Sequence, residues 1–584
     1  MFVYEAIGET LARLGVQHMF GLMGRANMRF VLHATESCGI SYLGGRHENS
    51  VVSMADAYAR ASGRLGVCTV TAGPGTTNTL TGLIEANQSR TPLLLLAGAP
   101  PAARGRDGQY VDHEALFGAV GVDCVRLRSP RTVVTDLVAA ARTAVTNQWP
   151  VVVAVPFDLQ TKVAGGGLDA VAPVTPPAPA EPDAAVISRM VEVVSRADRP
   201  VILAGRGAVC SGAGPALTAL ADRIGALLAT TMHASGLFAG HPYAIGTIGV
   251  HGSPLSVELL AEADAVLAFG ASLDRLTTRA GNLFPRVRDI VHCDADELAR
   301  TAAPVTLTVI GDAATTARAL LARLERVGVT GTGYHRPAVR TAIAGYRWPV
   351  PATPARPGGA SADESGTTGR CSVIDPRVLL AWLDEVLPRA RTIVPETGHS
   401  CGYALEYLRV LEPRGAVNLF AYRSIGLGLA AAIGAATARP DRITVAVVGD
   451  GGLLMSLGEL ETLVRLRLPV LVLVMNDHAF SSEARELEMW GRPIDSALFP
   501  PVDFAAVAGA LGAHRTTIDG PDRLDDLRQW LARPEGVMLA DCKIDPTVPA
   551  DWFRAAIGSP ESYLRHPHPN FVGGGLRATS AGER

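Results

Sequence analysis

Residues 443–477, ITVAVVGDGGLLMSLGELETLVRLRLPVLVLVMND, decide the fold. Two apolar runs, ITVAVVG and PVLVLVM, flank a stretch with the leucine spacing of a helix. Neither run alternates polar and apolar residues, so each predicts a strand covered on both faces. Two such strands joined by a helix make a parallel βαβ unit. The first run ends in Gly449-Asp450-Gly451, and 24 residues further on the second ends in Asn476-Asp477. In an open parallel sheet the strand C-termini face the ligand crevice. Asp450 and Asn476 would supply two hard oxygens there, of the kind magnesium takes together with phosphate. Gly449, Gly451 and Gly452 would let the backbone approach a diphosphate closely, and the helix that follows offers its N-terminus to the anion. A GDG triplet alone is equally a plain turn; the pair at two strand ends carries the reading.

The same rhythm extends outward through TPLLLLAG, WPVVVAVP, RPVILAG and DAVLAFG. The fold class is therefore α/β, with three doubly wound parallel-sheet domains, a number that suits 584 residues. Two Pro/Gly/Ala-rich stretches, 164–183 and 330–372, read as linkers because they carry too little apolar surface to offset the entropy of ordering. They bound domains at 1–165, 183–330 and 372–550, with a C-terminal tail over 551–584, loosely held from about His566. The chain also repeats itself. Arg46 before a helix pattern, Gly73 in a strand-turn and Pro92 before the next strand recur as Arg423, Gly449 and Pro469, at offsets of 377, 376 and 377 residues. A duplicated α/β domain explains the constant offset, and two such domains facing each other make a site at their interface.

Composition removes several function classes. With 53 basic and 56 acidic side chains the formal charge is −3, so no basic field exists to hold nucleic acid. Only Lys162 and Lys543 are lysines, which leaves Schiff-base chemistry almost no candidates. The eight cysteines are scattered without a CxxC pair, the pattern of buried thiols in a reducing compartment. The N-terminal stretch is an amphipathic helix pattern rather than a leader, and the longest uncharged apolar stretch, Ser424–Ala438, is too short to span a bilayer. The expectation is a soluble, cytoplasmic protein.

On these residues the chain resembles the thiamine-diphosphate-dependent enzymes, whose signature is GDG, some two dozen residues, then Asn-Asn or Asn-Asp. The stretch GGRHENSVVSMADAYARASGRLGVCTVTAGPGTTN, residues 44–78, is similar to the pyrimidine-binding domain of the acetolactate synthase branch. The resemblance covers all three domains and implies pyrimidine-binding, central and diphosphate-binding roles in that order. It implies that Glu48 hydrogen-bonds the aminopyrimidine ring and drives its tautomerisation. Standing alone, Glu48 would read as a helix-start carboxylate or a partner of Arg46. The repeat maps Glu48 onto Ile425, where the resemblance places the apolar residue that wedges the cofactor into its bent shape. It further implies a metal set of Asp450, Asn476 and the His478 backbone carbonyl. Gly449, Gly451 and Gly452, with His399 and Ser400 after Gly398, would contact the diphosphate; a surface turn is the alternative for 398–400. Gly73, within Gly73-Pro74-Gly75, shapes the crevice. Gln109 and His113 are candidate catalytic residues, the latter equally a loop histidine beside Asp112 or Glu114.

The chain departs from the acetolactate synthase pattern where substrate and FAD are met. Val122 replaces a lysine, Ser272 an FAD-contacting arginine, and Glu486 the tryptophan that selects the larger acceptor. FAD is therefore expected absent or weakly bound, and Glu486 is expected beside the acceptor pocket. The implied activity is decarboxylation of a 2-oxo acid such as pyruvate, with carboligation to an acceptor carbonyl, in a homodimer or homotetramer. A decarboxylase or lyase that does not ligate, and a catalytically silent cofactor-binding subunit, are the alternatives.

Overall fold

The computed structural model describes residues 1–101, 108–297, 299, 301–351, 373–520 and 523–557. Three sheets, every pairing in them parallel, carry the chain. The first holds β1 (His18–Gly21), β2 (Ser41–Gly44), β3 (Gly66–Val70), β4 (Leu93–Ala99), β5 (Asp123–Arg126) and β6 (Pro150–Pro156), in the order β2-β1-β3-β4-β6-β5. The second holds β7 (Pro200–Ala204), β8 (Leu227–Thr230), β9 (Ala244–Thr247), β10 (Ala265–Phe269), β11 (Asp289–Asp294) and β12 (Leu307–Ile310), in the order β12-β11-β10-β7-β8-β9. The third holds β13 (Arg391–Pro395), β14 (Ile443–Gly449), β15 (Val470–Asn476), β16 (His514–Ile518) and β17 (Val537–Lys543), in the order β13-β14-β15-β17-β16.

The duplication is visible in the topology. The third sheet repeats the order β1-β3-β4-β6-β5 of the first, and β14 and β15 begin 377 residues after β3 and β4. The central strands β4, β6 and β15 are buried along their whole length, as their unbroken apolar sequences require. Equivalent helices of the two domains, Glu48–Ser62 and Gly428–Ala438, pack on each other. The small residues of GLAAAIGAATA make that crossing close: a Cβ on Gly434 would fall 2.1 Å from the Met54 carbonyl oxygen. Val51, Met54, Leu429, Ile433 and Val448 belong to one continuous core, so the first and third domains fold against each other within the chain.

The middle sheet has its own core. Its Gly205-Arg206-Gly207 turn is a packing device: Gly207 N–H donates to the Gly270 carbonyl (3.0 Å), and a Cβ on Gly205 would sit 2.1 Å from that oxygen. The stretch after residue 330 is not linker throughout. Tyr334 is buried and its hydroxyl donates to the Leu259 carbonyl (2.7 Å), and Pro337–Gly345 is helical with Val339 and Ile343 against the middle core. The apolar residues spaced through YHRPAVRTAI account for it; 352–372 lie outside the described residues. Stretch 164–183 holds a single helical turn, Leu168–Ala170. The tail begins with a helix, Asp551–Ile557, and its remainder, His566 included, lies outside the described residues. Among the described residues no helix is long and apolar enough to cross a membrane.

Candidate functional site

A cleft opens at the C-terminal edge of the third sheet. The ends of β13, β14 and β15 meet there, and the cleft is lined from Glu396 to Ser400, by Ile425, from Gly449 to Gly452, and by Asp477 and residues 479–483. The strand directions alone put these turns at one edge. Gly451 and Gly452 are required by neighbours: a Cβ would fall 2.4 Å from a Phe480 ring carbon and 2.1 Å from Glu396 Oε2, respectively. Gly398, at φ +124°, turns the chain into the helix His399–Tyr407, whose first residues face the cleft, and the Ile425 side chain packs beside it.

Asp450 is buried at the start of the turn, and its Oδ2 accepts the His478 N–H (2.7 Å). Burial first, and the charge of Asp477 second, push its carboxyl up to about 7. Asp477 lines the same cleft; burial raises it too, and Ser481 Oγ donates to it at 2.6 Å. Two carboxylates at one cleft, the charge of Asp477 disfavouring that of Asp450, have the chemistry of donors to a hard divalent cation. Asn476, expected in that set, is directed elsewhere. Its amide Nδ2 donates to Asp541 Oδ1 (2.8 Å), and it does not line the cleft. The His478 carbonyl is likewise taken up, accepting the Phe499 N–H (3.0 Å). Successive side chains of a strand face opposite ways, so Asp477, one residue on, lines the cleft where Asn476 was expected, while Asn476 Oδ1 is buried without a hydrogen-bond partner. Glu486 does not line the cleft; Glu483, three residues earlier on the helix Ser481–Met489, does.

Sequence reasoning missed Glu396. It follows β13, is 3% exposed, and gathers three backbone amides: Gly426 (2.9 Å) and Gly428 (3.1 Å) on Oε1, Gly449 (3.2 Å) on Oε2. Burial outweighs these bonds and pushes its carboxyl up to about 7. One side chain thus ties β13, the Ile425 loop and the GDG turn. A carboxylate directly after an apolar strand and two residues before a glycine was the available signal.

His399 points away from a chemical role. Burial pushes its imidazole down to about 3, and Nε2 accepts the Ala550 N–H (3.1 Å). Its neighbour Ser400 is buried at the cleft. The helix Asp551–Ile557 docks beside it, with Trp552 Nε1 donating to the His399 carbonyl (3.2 Å) and the Trp552 N–H to Glu406 (2.9 Å).

The first-domain residues gather at the matching edge of their own sheet. Glu48 opens the helix Glu48–Ser62 and is 9% exposed; Asn78 Nδ2 donates to its Oε2 (3.0 Å), and Gly75 lies alongside. Gly73, at φ +66°, abuts Gln109, where a Cβ would come within 3.0 Å. His113 is buried against Phe117, pushed down to about 4 chiefly by burial, and neither ring nitrogen has a hydrogen-bond partner. Its ring nitrogens contact neither Asp112 nor Glu114. Among the described residues, none of the first domain lines the third-domain cleft within the chain.

Family models match along the chain: residues 1–116 match the N-terminal TPP binding domain of thiamine pyrophosphate enzymes, 187–320 their central domain, and 396–542 their C-terminal TPP binding domain. The chain is 30% identical to a sulfoacetaldehyde acetyltransferase of Rhodobacter capsulatus over 91% of its own length and 92% of the relative's. It is 30% identical to an acetolactate synthase large subunit of Parasynechococcus marenigrum, covering 91% and 86%. With a probable acetolactate synthase large subunit of Methanocaldococcus jannaschii it shares 28%, covering 93% and 92%.

Proposed function

The chain belongs to the thiamine pyrophosphate enzyme family, and from that premise we propose that it decarboxylates a 2-oxo acid, pyruvate first among them, and joins the remaining fragment to an acceptor carbonyl. The observation that supports this most is the third-domain cleft, where glycine turns, Ile425 and the Asp450–Asp477 pair meet at the ends of three strands. Relatives named for acetolactate synthesis favour ligation over simple decarboxylation.

Thiamine pyrophosphate, when bound, supplies the carbon nucleophile and electron sink that cleavage next to a carbonyl needs. The chain's own residues hold and orient it. Asp450 and Asp477 would hold a Mg²⁺ ion, whose charge would offset that of the diphosphate. The Gly449 and Gly451 amides are held by Glu396 and Asp450, so the close turn at Gly452 and the helix start at His399 and Ser400 would meet the phosphate oxygens. Ile425 supplies an apolar wall. Glu48 holds and exchanges a proton at its carboxyl, in an environment where water is scarce. Since Glu48 is absent from the cleft of its own chain, the working site joins Glu48 of one copy to the third domain of another. The cleft's rim fits a covered surface: Leu454, Met455, Phe480 and Leu498 are all exposed there or nearby. Glu483 at the cleft disfavours a second anionic 2-oxo acid as acceptor and favours a neutral or cationic carbonyl compound.

Purified protein given pyruvate, thiamine pyrophosphate and Mg²⁺ is the test. Carbon dioxide together with a C–C coupled product is expected. Carbon dioxide alone would make it a simple decarboxylase, and neither product from any 2-oxo acid would overturn this reading in favour of a C–C lyase or a silent subunit. FAD is proposed absent or weak, because the glycine-turn amides of the middle domain already bond Phe269 and Gly270 and Ser272 offers no cation to a phosphate. Flavin absorbance in the purified protein would contradict this.

A further inference from the structure

We propose that Glu459 and Glu85 are positioning residues that form reciprocal clamps, each domain of the duplicated pair holding in place the loop that presents the other domain's cofactor-facing residue. This rests on the site reading above.

Glu459 lies on the third-domain helix Gly458–Leu466 and is 1% exposed. Its Oε1 reaches across the domain boundary to accept the N–H groups of Arg46 (2.9 Å) and His47 (3.0 Å), the two residues before Glu48. Thr462 Oγ1 donates to Oε2 (2.8 Å) and fixes the carboxylate plane. Glu85 lies on the first-domain helix Leu80–Gln88 and is fully buried. Its Oε2 reaches the opposite way to accept the Tyr422 N–H (2.6 Å), three residues before Ile425. Arg60 Nη2 (2.9 Å) and Ser89 Oγ (3.0 Å) donate to its Oε1. Burial raises Glu85, but Arg60 and the backbone amides of Ala421 and Tyr422 outweigh it and hold the carboxyl below its ordinary value, so it is charged at neutral pH.

The two helices are equivalents in the duplication: each leads from the turn after one strand (β3 or β14) into the next (β4 or β15). Arg46 and Arg423, the residues at the clamped loops, are the pair separated by 377 positions. A buried carboxylate bonded to a backbone amide is a strong, directional contact, because both groups are desolvated and one is charged. These bonds cross between domains, so they act on loop position where bonds inside one domain would act on that domain's fold. Ile425 is then held from both sides, by Glu85 at 422 and by Glu396 at 426 and 428.

The two clamps have different expected readouts. Glu459→Gln loosens the approach to Glu48, which exchanges a proton but does not carry the diphosphate. It should lower kcat by roughly ten- to hundredfold, the range a misplacement of about 1 Å produces, with cofactor affinity near wild type. Glu85→Gln loosens the Ile425 wall and should weaken thiamine pyrophosphate binding more than it lowers kcat at saturation. Glu459→Asp, which keeps the charge on a shorter arm, should fall between wild type and Glu459→Gln. In the full-length protein, amide hydrogen exchange should quicken at residues 46–47 in the first variant and at 421–422 in the second. Unchanged exchange at those amides, or the same change in kcat and cofactor affinity in both folded variants, would overturn the proposal. Should wild type show no thiamine-pyrophosphate-dependent turnover, the functional reading falls, and the exchange measurements alone still decide whether the clamps exist.

Discussion

The roles proposed for Glu48 and Asp477, proton exchange and cofactor retention, can be separated by substitution. Replacing Glu48 by Gln keeps its size and its contact with Asn78, and removes only the acid–base function. Turnover should fall by roughly 10²–10⁴-fold, the worth of a positioned proton-transfer group, while bound cofactor persists. A cofactor-saturated assay with undiminished rate would remove Glu48 from the mechanism. Asp477→Ala should act on binding instead. Loss of a group that merely supports a metal ligand costs roughly 10–100-fold in affinity, and a direct ligand should cost no less. Asn476→Ala, which breaks the bond to Asp541 inside the sheet, should leave Mg²⁺-dependent cofactor affinity closer to wild type. Calorimetric titration of both variants decides between the two neighbours; the larger loss in Asn476→Ala would restore the assignment made from spacing alone. The sequence placed two oxygen-bearing residues at the end of β15, and only the direction of the strand's pleat chose between them.

At the scale of elements, the helix Asp551–Ile557 is tied to the helix His399–Tyr407 through Glu406, which accepts the Asp551 and Trp552 amides. Burial pushes Glu406 up to about 8. Its folded pKa lies above its unfolded value, so its contribution to stability is complete below about pH 4 and is lost as pH rises through about 8. Cofactor-free protein should therefore melt at lower temperature at pH 8.5 than at pH 5.5, and Glu406→Gln should flatten that decline. A pH dependence identical in variant and wild type would show that Glu406 does not titrate with folding. The strands were legible because apolar runs without alternation have few other uses, and the duplication because β3/β4 and β14/β15 kept their spacing. The helix Pro337–Gly345 was hidden inside a Pro/Gly-rich stretch whose average composition masked Tyr334, Val339 and Ile343. Glu396 was hidden because its partners are backbone amides of three separate turns, and amides leave no mark in a sequence.

The whole molecule poses a question that no single chain answers. The packing of Glu48–Ser62 on Gly428–Ala438 commits the first domain to the third within one chain, yet it leaves Glu48 outside the cleft that holds Asp450. If each working site joins Glu48 of one copy to Asp450 of its partner, two inactive variants should repair each other. A Glu48→Gln chain retains an intact cleft, and an Asp450→Ala chain retains an intact Glu48. A mixed dimer then holds one complete site and one doubly impaired site, and random re-pairing of equal amounts should return up to about a quarter of wild-type activity, because closed two-fold assembly makes half the dimers mixed. The variants would be mixed, dissociated mildly and reassembled, with sedimentation confirming the dimer. Each variant alone, taken through the same cycle, should stay inactive. A site contained within one chain gives no recovery at any mixing ratio, because every chain then carries its own lesion. Zero recovery from a mixture shown to contain mixed dimers would thus place Glu48 outside the partner's cleft and return the chain to a self-contained site.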